Sequence, residues 1–100
     1  MRDKTTFHEV SKKHLPTLVQ YVPIVARVHG GSHPEFHTVH KLFNAIKDKI
    51  EAAGAETPQL GAEFSQLRDA TASYTVPDDV CESYAAVYNM LSELDRAYHC

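Results

Sequence analysis

Apolar residues recur at helical spacing in four separate stretches of this chain, with glycine or proline in the gaps between them. Within each stretch most apolar positions are three or four residues apart, which places them on one face of an α-helix. The first such face comprises Phe7, Val10, Leu15, Leu18, Val22, Val25 and Val28. We therefore predict an all-α protein with helices at about residues 6–29, 33–54, 58–73 and 77–99.

Short connections between these helices restrict how they can pack. Amphipathic helices joined by short loops lie antiparallel to their neighbours, because a short loop cannot carry the chain back to the far end. The chain has 100 residues, which is the usual size of one domain with one core. We expect a single up-and-down four-helix bundle that spans residues 1–100.

Proline and capping residues refine the expected helix ends. Pro16 and Pro23 lie inside the first predicted helix, and each removes a backbone donor, so we expect a bend or a local break there. Ser32 and Glu35 have the spacing of a capping box at the start of the second helix. Pro77 is expected in the first turn of the fourth helix.

Composition and charge disfavour several classes of partner and site. The net charge is −3 and the basic residues are scattered, so we expect no positive face for nucleic acid. No apolar stretch has the length of a membrane span, and we expect a cytoplasmic protein. Cys81 and Cys100 are too few for a disulfide framework and match no zinc or redox motif, so Cys81 is interpreted as a small hydrophobic residue on a helix.

Histidine is over-represented, with seven residues in the chain. His8 lies on the first apolar face, where a lone histidine is more often a packed core residue than a metal ligand. His29 lies on the same face but roughly 30 Å away along a helix, too far to share a metal with His8. His33, His37 and His40 are one turn apart and can bind a transition metal, but no carboxylate completes a zinc set, which favours exposed polar histidines.

Two stretches resemble one family, the hemerythrin-like di-iron proteins of the Ric type, which are associated with repair of iron–sulfur clusters. The first stretch contains His8, then Leu15-Pro16, then VARVHGGSHPE at residues 25–35. The second is YTVPDDVC at residues 74–81, followed by Tyr88-Asn89 and Glu93-Leu94. The histidine-glycine-x-x-histidine-proline run and the tyrosine-threonine-x-proline run are unusual, and together the stretches follow the family's order through most of the chain.

The resemblance implies a four-helix bundle with two irons near one end, held by histidines from all four helices and two bridging glutamates. His8 matches the iron ligand of the first helix. Other ligand positions do not match. In its second helix the family has a histidine at the position of Ala53 and a glutamate one turn later, where this chain has Thr57. At the start of its third helix the family has a glutamate-histidine pair, where this chain has Glu56-Thr57. The last helix of the family supplies its ligands just beyond Cys100.

These mismatches cluster at one pole of the expected bundle, where the first and third helices begin and the second and fourth end. The leading hypothesis is a member or fragment of the Ric-type family, whose intact form delivers iron to iron–sulfur proteins under oxidative or nitrosative stress. The 100 residues of this chain alone are predicted not to hold the di-iron centre. The resemblance favours a metal-binding repair protein over an enzyme. The alternative is a metal-free helical module that binds a protein partner or forms a homodimer.

Overall fold

The computed structural model describes residues 6–54 and 56–99, and this part of the chain forms four α-helices. The helices are α1 (Thr6–His29), α2 (Glu35–Ala53), α3 (Gly61–Thr71) and α4 (Glu82–Tyr98). The described residues contain no strand. The prediction of an all-α four-helix bundle is therefore confirmed.

The core is built from the predicted apolar faces. Helix α1 packs against α4 and α2, and α3 packs against α2. Leu18, Phe43 and Leu91 are fully buried, and burial of one such side chain is worth about 1.5–3 kcal/mol. One predicted core residue is misplaced: Val28 is 65% exposed, because Ala26 takes the inward position in the last turn of α1.

Helix α1 passes both of its prolines without a break, so the local break allowed for by the sequence does not occur. Pro16 and Pro23 are both exposed. A proline has no N–H to bond the carbonyl four residues earlier. On the outer face of a helix that carbonyl is open to water, so the missing hydrogen bond costs less than it does in a core.

Helices α2, α3 and α4 begin later than predicted, and none has a side-chain cap at its start. The capping box expected between Ser32 and Glu35 does not form. Glu35 is the first residue of α2, and its carboxylate instead binds His33 and Tyr84. Pro77 precedes α4 by five positions and lies in a connecting loop. None of the described helices has both the length and the hydropathy needed to cross a membrane.

Candidate functional site

The end of the bundle at which the resemblance places iron is filled by apolar side chains. We call this end the aromatic pole, and it is formed by Phe7, Leu60, Phe64 and Tyr98. The ring centroid of Tyr98 lies 5.5 Å from that of Phe7 and 5.3 Å from that of Phe64. The backbone N–H of Leu60 donates to the Tyr98 hydroxyl at 2.9 Å, which ties the start of α3 to the end of α4. Phe7, Leu60 and Phe64 are at most 5% exposed.

His8, which matches a family iron ligand, lies at this pole. Its side chain is half-buried, and its ring centroid is 6.1 Å from that of Phe7. Across residues 6–54 and 56–99, no group of three or more histidine, cysteine, aspartate or glutamate side chains is placed to hold a metal ion. The role of His8 as an iron ligand therefore stays a prediction.

The described donors at the aromatic pole do not fit a di-iron centre. Two irons need several imidazoles and bridging carboxylates. Glu63, in the first turn of α3, is paired through Oε2 with Lys49 Nζ at 2.7 Å, and this hydrogen bond lowers the Glu63 pKa. Its Oε1 atom is buried without a described partner. His99 is also at this pole, with its ring centroid 6.1 Å from that of Phe64. One open carboxylate oxygen and the imidazoles of His8 and His99 cannot bridge and hold two metal ions.

The opposite end of the bundle carries polar side chains, and we call it the histidine pole. It is formed by His29, His33, Glu35, Asp79, Cys81 and Tyr84. His33 bridges two carboxylates: Nδ1 lies 3.1 Å from Glu35 Oε2, and Nε2 lies 3.0 Å from Asp79 Oδ1. The bridge links the start of α2 to the loop before α4.

His33 lies between two carboxylate groups in this arrangement. An ionised carboxylate can only accept hydrogen bonds, and a neutral imidazole has a single N–H. At least one ring nitrogen of His33 therefore donates to a carboxylate. The side chain of His33 is 15% exposed, so its interpretation as an exposed polar histidine was wrong. The interpretation failed because Asp79, which contacts the His33 ring, lies far away in the sequence.

Cys81 also differs from its prediction. It is exposed, precedes α4 as its N-cap residue, and its Sγ lies 3.2 Å from His29 Nε2. It is not a small hydrophobic residue within a helix, because the connecting loop extends beyond the predicted helix start. His37 is exposed on α2 and His40 is half-buried.

Tyr84 joins the histidine pole to the core. Its hydroxyl donates to Glu35 Oε2 at 3.3 Å and lies 3.0 Å from the Tyr88 hydroxyl. The rings of His29 and His33 both meet the Tyr84 ring at 5.5 Å between centroids. Burial, followed by these hydrogen bonds, raises the pKa of Tyr84.

A buried ionic network on α3 and α4 was not found by sequence reasoning. Asp95 is 6% exposed and accepts hydrogen bonds from Arg68 Nη1 at 2.7 and 2.8 Å and from the Tyr74 hydroxyl at 2.7 Å. His99 Nδ1 lies 2.8 Å from Asp95 Oδ1. The sequence carries one signal for it, since Asp95 is one turn from Leu91 and so falls on the inward side of α4.

The turn that presents Tyr74 to this network is left-handed. Ala72, Ser73 and Tyr74 all have positive φ, at 51°, 58° and 62°, and such a conformation costs roughly 1–2 kcal/mol per non-glycine residue. Thr71 stabilises the turn, because its hydroxyl accepts from the Tyr74 N–H at 2.8 Å and donates to the Leu67 carbonyl. The network and the strained turn therefore stabilise one another.

Comparison with known proteins gives one set of relatives. No protein-family model matches the chain, and no solved structure gives a significant match. The iron-sulfur cluster repair protein ScdA of Staphylococcus haemolyticus is 22% identical over 127 residues, which cover 96% of this chain and 57% of the relative. ScdA proteins of two Staphylococcus epidermidis strains are also 22% identical, with the same coverage. These similarities support a distant relationship to the ScdA repair proteins.

The length of the aligned region gives two further facts. The chain spans little more than half the length of these relatives. The matched region is 127 positions long, whereas this chain has 100 residues. At least 27 positions of the relative therefore have no counterpart within this chain.

Proposed function

We propose that this chain functions in iron–sulfur cluster repair. The observation that carries the proposal is the similarity to ScdA repair proteins, which extends over 96% of the chain. The four-helix bundle agrees with the architecture that the family resemblance implies. As part of the same proposal, the partners are iron–sulfur proteins and the compartment is the cytoplasm.

The test is a repair assay with the purified protein. An iron–sulfur enzyme is inactivated with peroxide and then incubated with ferrous iron and a thiol reductant, with or without the chain. We expect faster recovery of enzyme activity with the chain than with an equal amount of an unrelated helical protein. The Staphylococcus haemolyticus ScdA protein serves as the positive control. Recovery no faster than with iron and reductant alone would contradict the proposal.

The finer form of the proposal is iron delivery under oxidative or nitrosative stress, with His8 as the ligand that this chain contributes. Because the described donors do not fit a di-iron centre, the remaining ligands have to come from a partner protein or from residues outside the described ranges. His8→Ala should lower ferrous iron binding in anaerobic equilibrium dialysis, whereas His40→Ala should not. Equal iron binding by the two variants would remove His8 from the proposal.

A metal-free interaction module is the second candidate, and exposed apolar residues on α1 favour it. Ile24 is 48% exposed and Val28 is 65% exposed, and they lie one turn apart on one face. By contrast, the apolar residues of the aromatic pole are buried within the chain. If the chain forms a homodimer through α1, Ile24→Lys should produce a monomer in sedimentation analysis. Thr38→Lys, at an exposed position of α2, should not. A monomeric parent protein would rule out the dimer.

A further inference from the structure

We propose that the cleft between α3 and α4 binds a small oxyanion, a phosphate or carboxylate group, through Arg68, Arg96 and His99. This site is separate from the proposed iron ligand His8 and does not rest on the repair function. It follows from the shape of the cleft, the orientation of its donors and the local charge.

The cleft is the place where the buried Asp95 network reaches the surface. It is open to solvent and has a volume of about 450 Å³. Its lining consists of Arg68, Tyr74, Ser92, Asp95, Arg96 and His99. Of these side chains, Asp95 alone is purely an acceptor when ionised, and the others carry N–H or O–H donors.

Asp95 orients two of the donors and leaves part of each available. All hydrogen bonds that Arg68 makes to described side chains run from Nη1 to Asp95, so Nε and Nη2 are not committed to a described residue. His99 faces Asp95 with Nδ1, so its Nε2 can donate to an anion when the imidazole carries both protons. The side chains of Arg68 and His99 are 40% and 46% exposed, so these groups can reach a ligand. A carboxylate that fixes a guanidinium and an imidazole in advance reduces the entropy lost on binding.

The charge of the cleft favours an anion. Arg68 and Arg96 carry two positive charges and Asp95 carries one negative charge, so these three side chains together have a net charge of about +1. Glu93 is a competing carboxylate, whose pKa is lowered mainly by its hydrogen bond with His14 and to a smaller extent by the charge of Arg96. However, Glu93 does not line the cleft and is bound to His14 at 2.7 Å. Guanidinium groups recognise phosphate and carboxylate oxygens in their fork geometry.

The test is a binding titration with inorganic phosphate and, in a parallel arm, with succinate. Both are added at constant ionic strength while amide chemical shifts are followed by NMR. We expect saturable shifts at the residues of the cleft, and the arm that saturates at lower concentration identifies the preferred oxyanion. The proposal is overturned if neither anion gives saturable shifts there.

Two variants with the same change of charge separate a site from general screening. Arg96→Gln removes a cleft donor that makes no described hydrogen bond, and it should weaken binding by about tenfold. Arg27→Gln removes an exposed charge on α1 and should leave the affinity unchanged. Equal weakening by both variants would mean that the anion responds to overall charge, and the cleft would then have no special role.

Discussion

Replacing Asp95 with alanine should strongly destabilise the protein. The carboxylate is 6% exposed and is contacted by Arg68, Tyr74 and His99. Its removal leaves the half-buried Tyr74 hydroxyl and the Nη1 group of Arg68 without this acceptor.

The size of the loss in the free energy of unfolding follows from the groups that lose their hydrogen-bond partner. Breaking a buried ion pair costs about 3–5 kcal/mol. The side chains of Arg68 and His99 are 40% and 46% exposed, so water can solvate them after the change and the cost is reduced. Tyr74 is less accessible, and its hydrogen bond to a charged acceptor contributes about 1.5–3 kcal/mol. We therefore expect Asp95→Ala to lower the free energy of unfolding by about 2–4 kcal/mol, a large fraction of the stability typical of a domain.

Urea unfolding followed by circular dichroism measures this loss directly. Asp69→Ala is the matched control, because Asp69 is an exposed aspartate on α3, and it should change the free energy of unfolding by less than about 0.5 kcal/mol. Tyr74→Phe removes one of the hydrogen bonds and should fall between the two variants. A loss for Asp95→Ala as small as that of Asp69→Ala would refute the reasoning.

Three further predictions concern a glycine, a buried tyrosine and a surface ion pair. A side chain at Gly30 would overlap the carbonyl oxygen four residues earlier, whereas one at Gly31 meets nothing within 4 Å, so Gly30→Ala should lower the melting temperature and Gly31→Ala should not. Because burial raises the pKa of Tyr84, its contribution to stability is intact below the unfolded pKa of about 10 and is lost as pH rises further. Alkaline titration should show less loss of stability in Tyr84→Phe. The lowered pKa of Glu63 gives stability above the unfolded pKa of about 4.3 that is lost as pH falls through the folded value, and Lys49→Met should reduce this acid dependence in urea unfolding.

The core of the bundle could be predicted from the sequence because the buried positions follow the local helical repeat. Phe36, Phe43 and Ile46 follow one another at helical intervals, and all three are at most 1% exposed. The end of α2 was also accessible to local reasoning, because Gly54 takes a positive φ of 60° directly after the helix. Such features depend on residues within a few positions of each other.

The parts that could not be predicted depend on residues far apart in the chain. His33 is bound by Asp79 across 46 positions, and Arg68 by Asp95 across 27. No periodicity encodes these pairings, because each requires two loops or helices to be placed first. The exposed Cys81 was missed for a related reason, since the late start of α4 is set by the loop that packs at the histidine pole.

The fold and the iron ligands of the resembled family depend on different residues. The bundle is stabilised by inward side chains such as Leu18 and Leu91, which are fully buried, and their spacing can be retained at low identity. Side chains at a pole contribute little to these inward faces of the helices. A pole lined by Phe7 and Tyr98 therefore supports the same bundle as one lined by metal ligands. Repair activity without iron binding would show that the bundle contributes to repair through its surfaces, whereas iron binding that requires His8 would show that donors from elsewhere complete the aromatic pole.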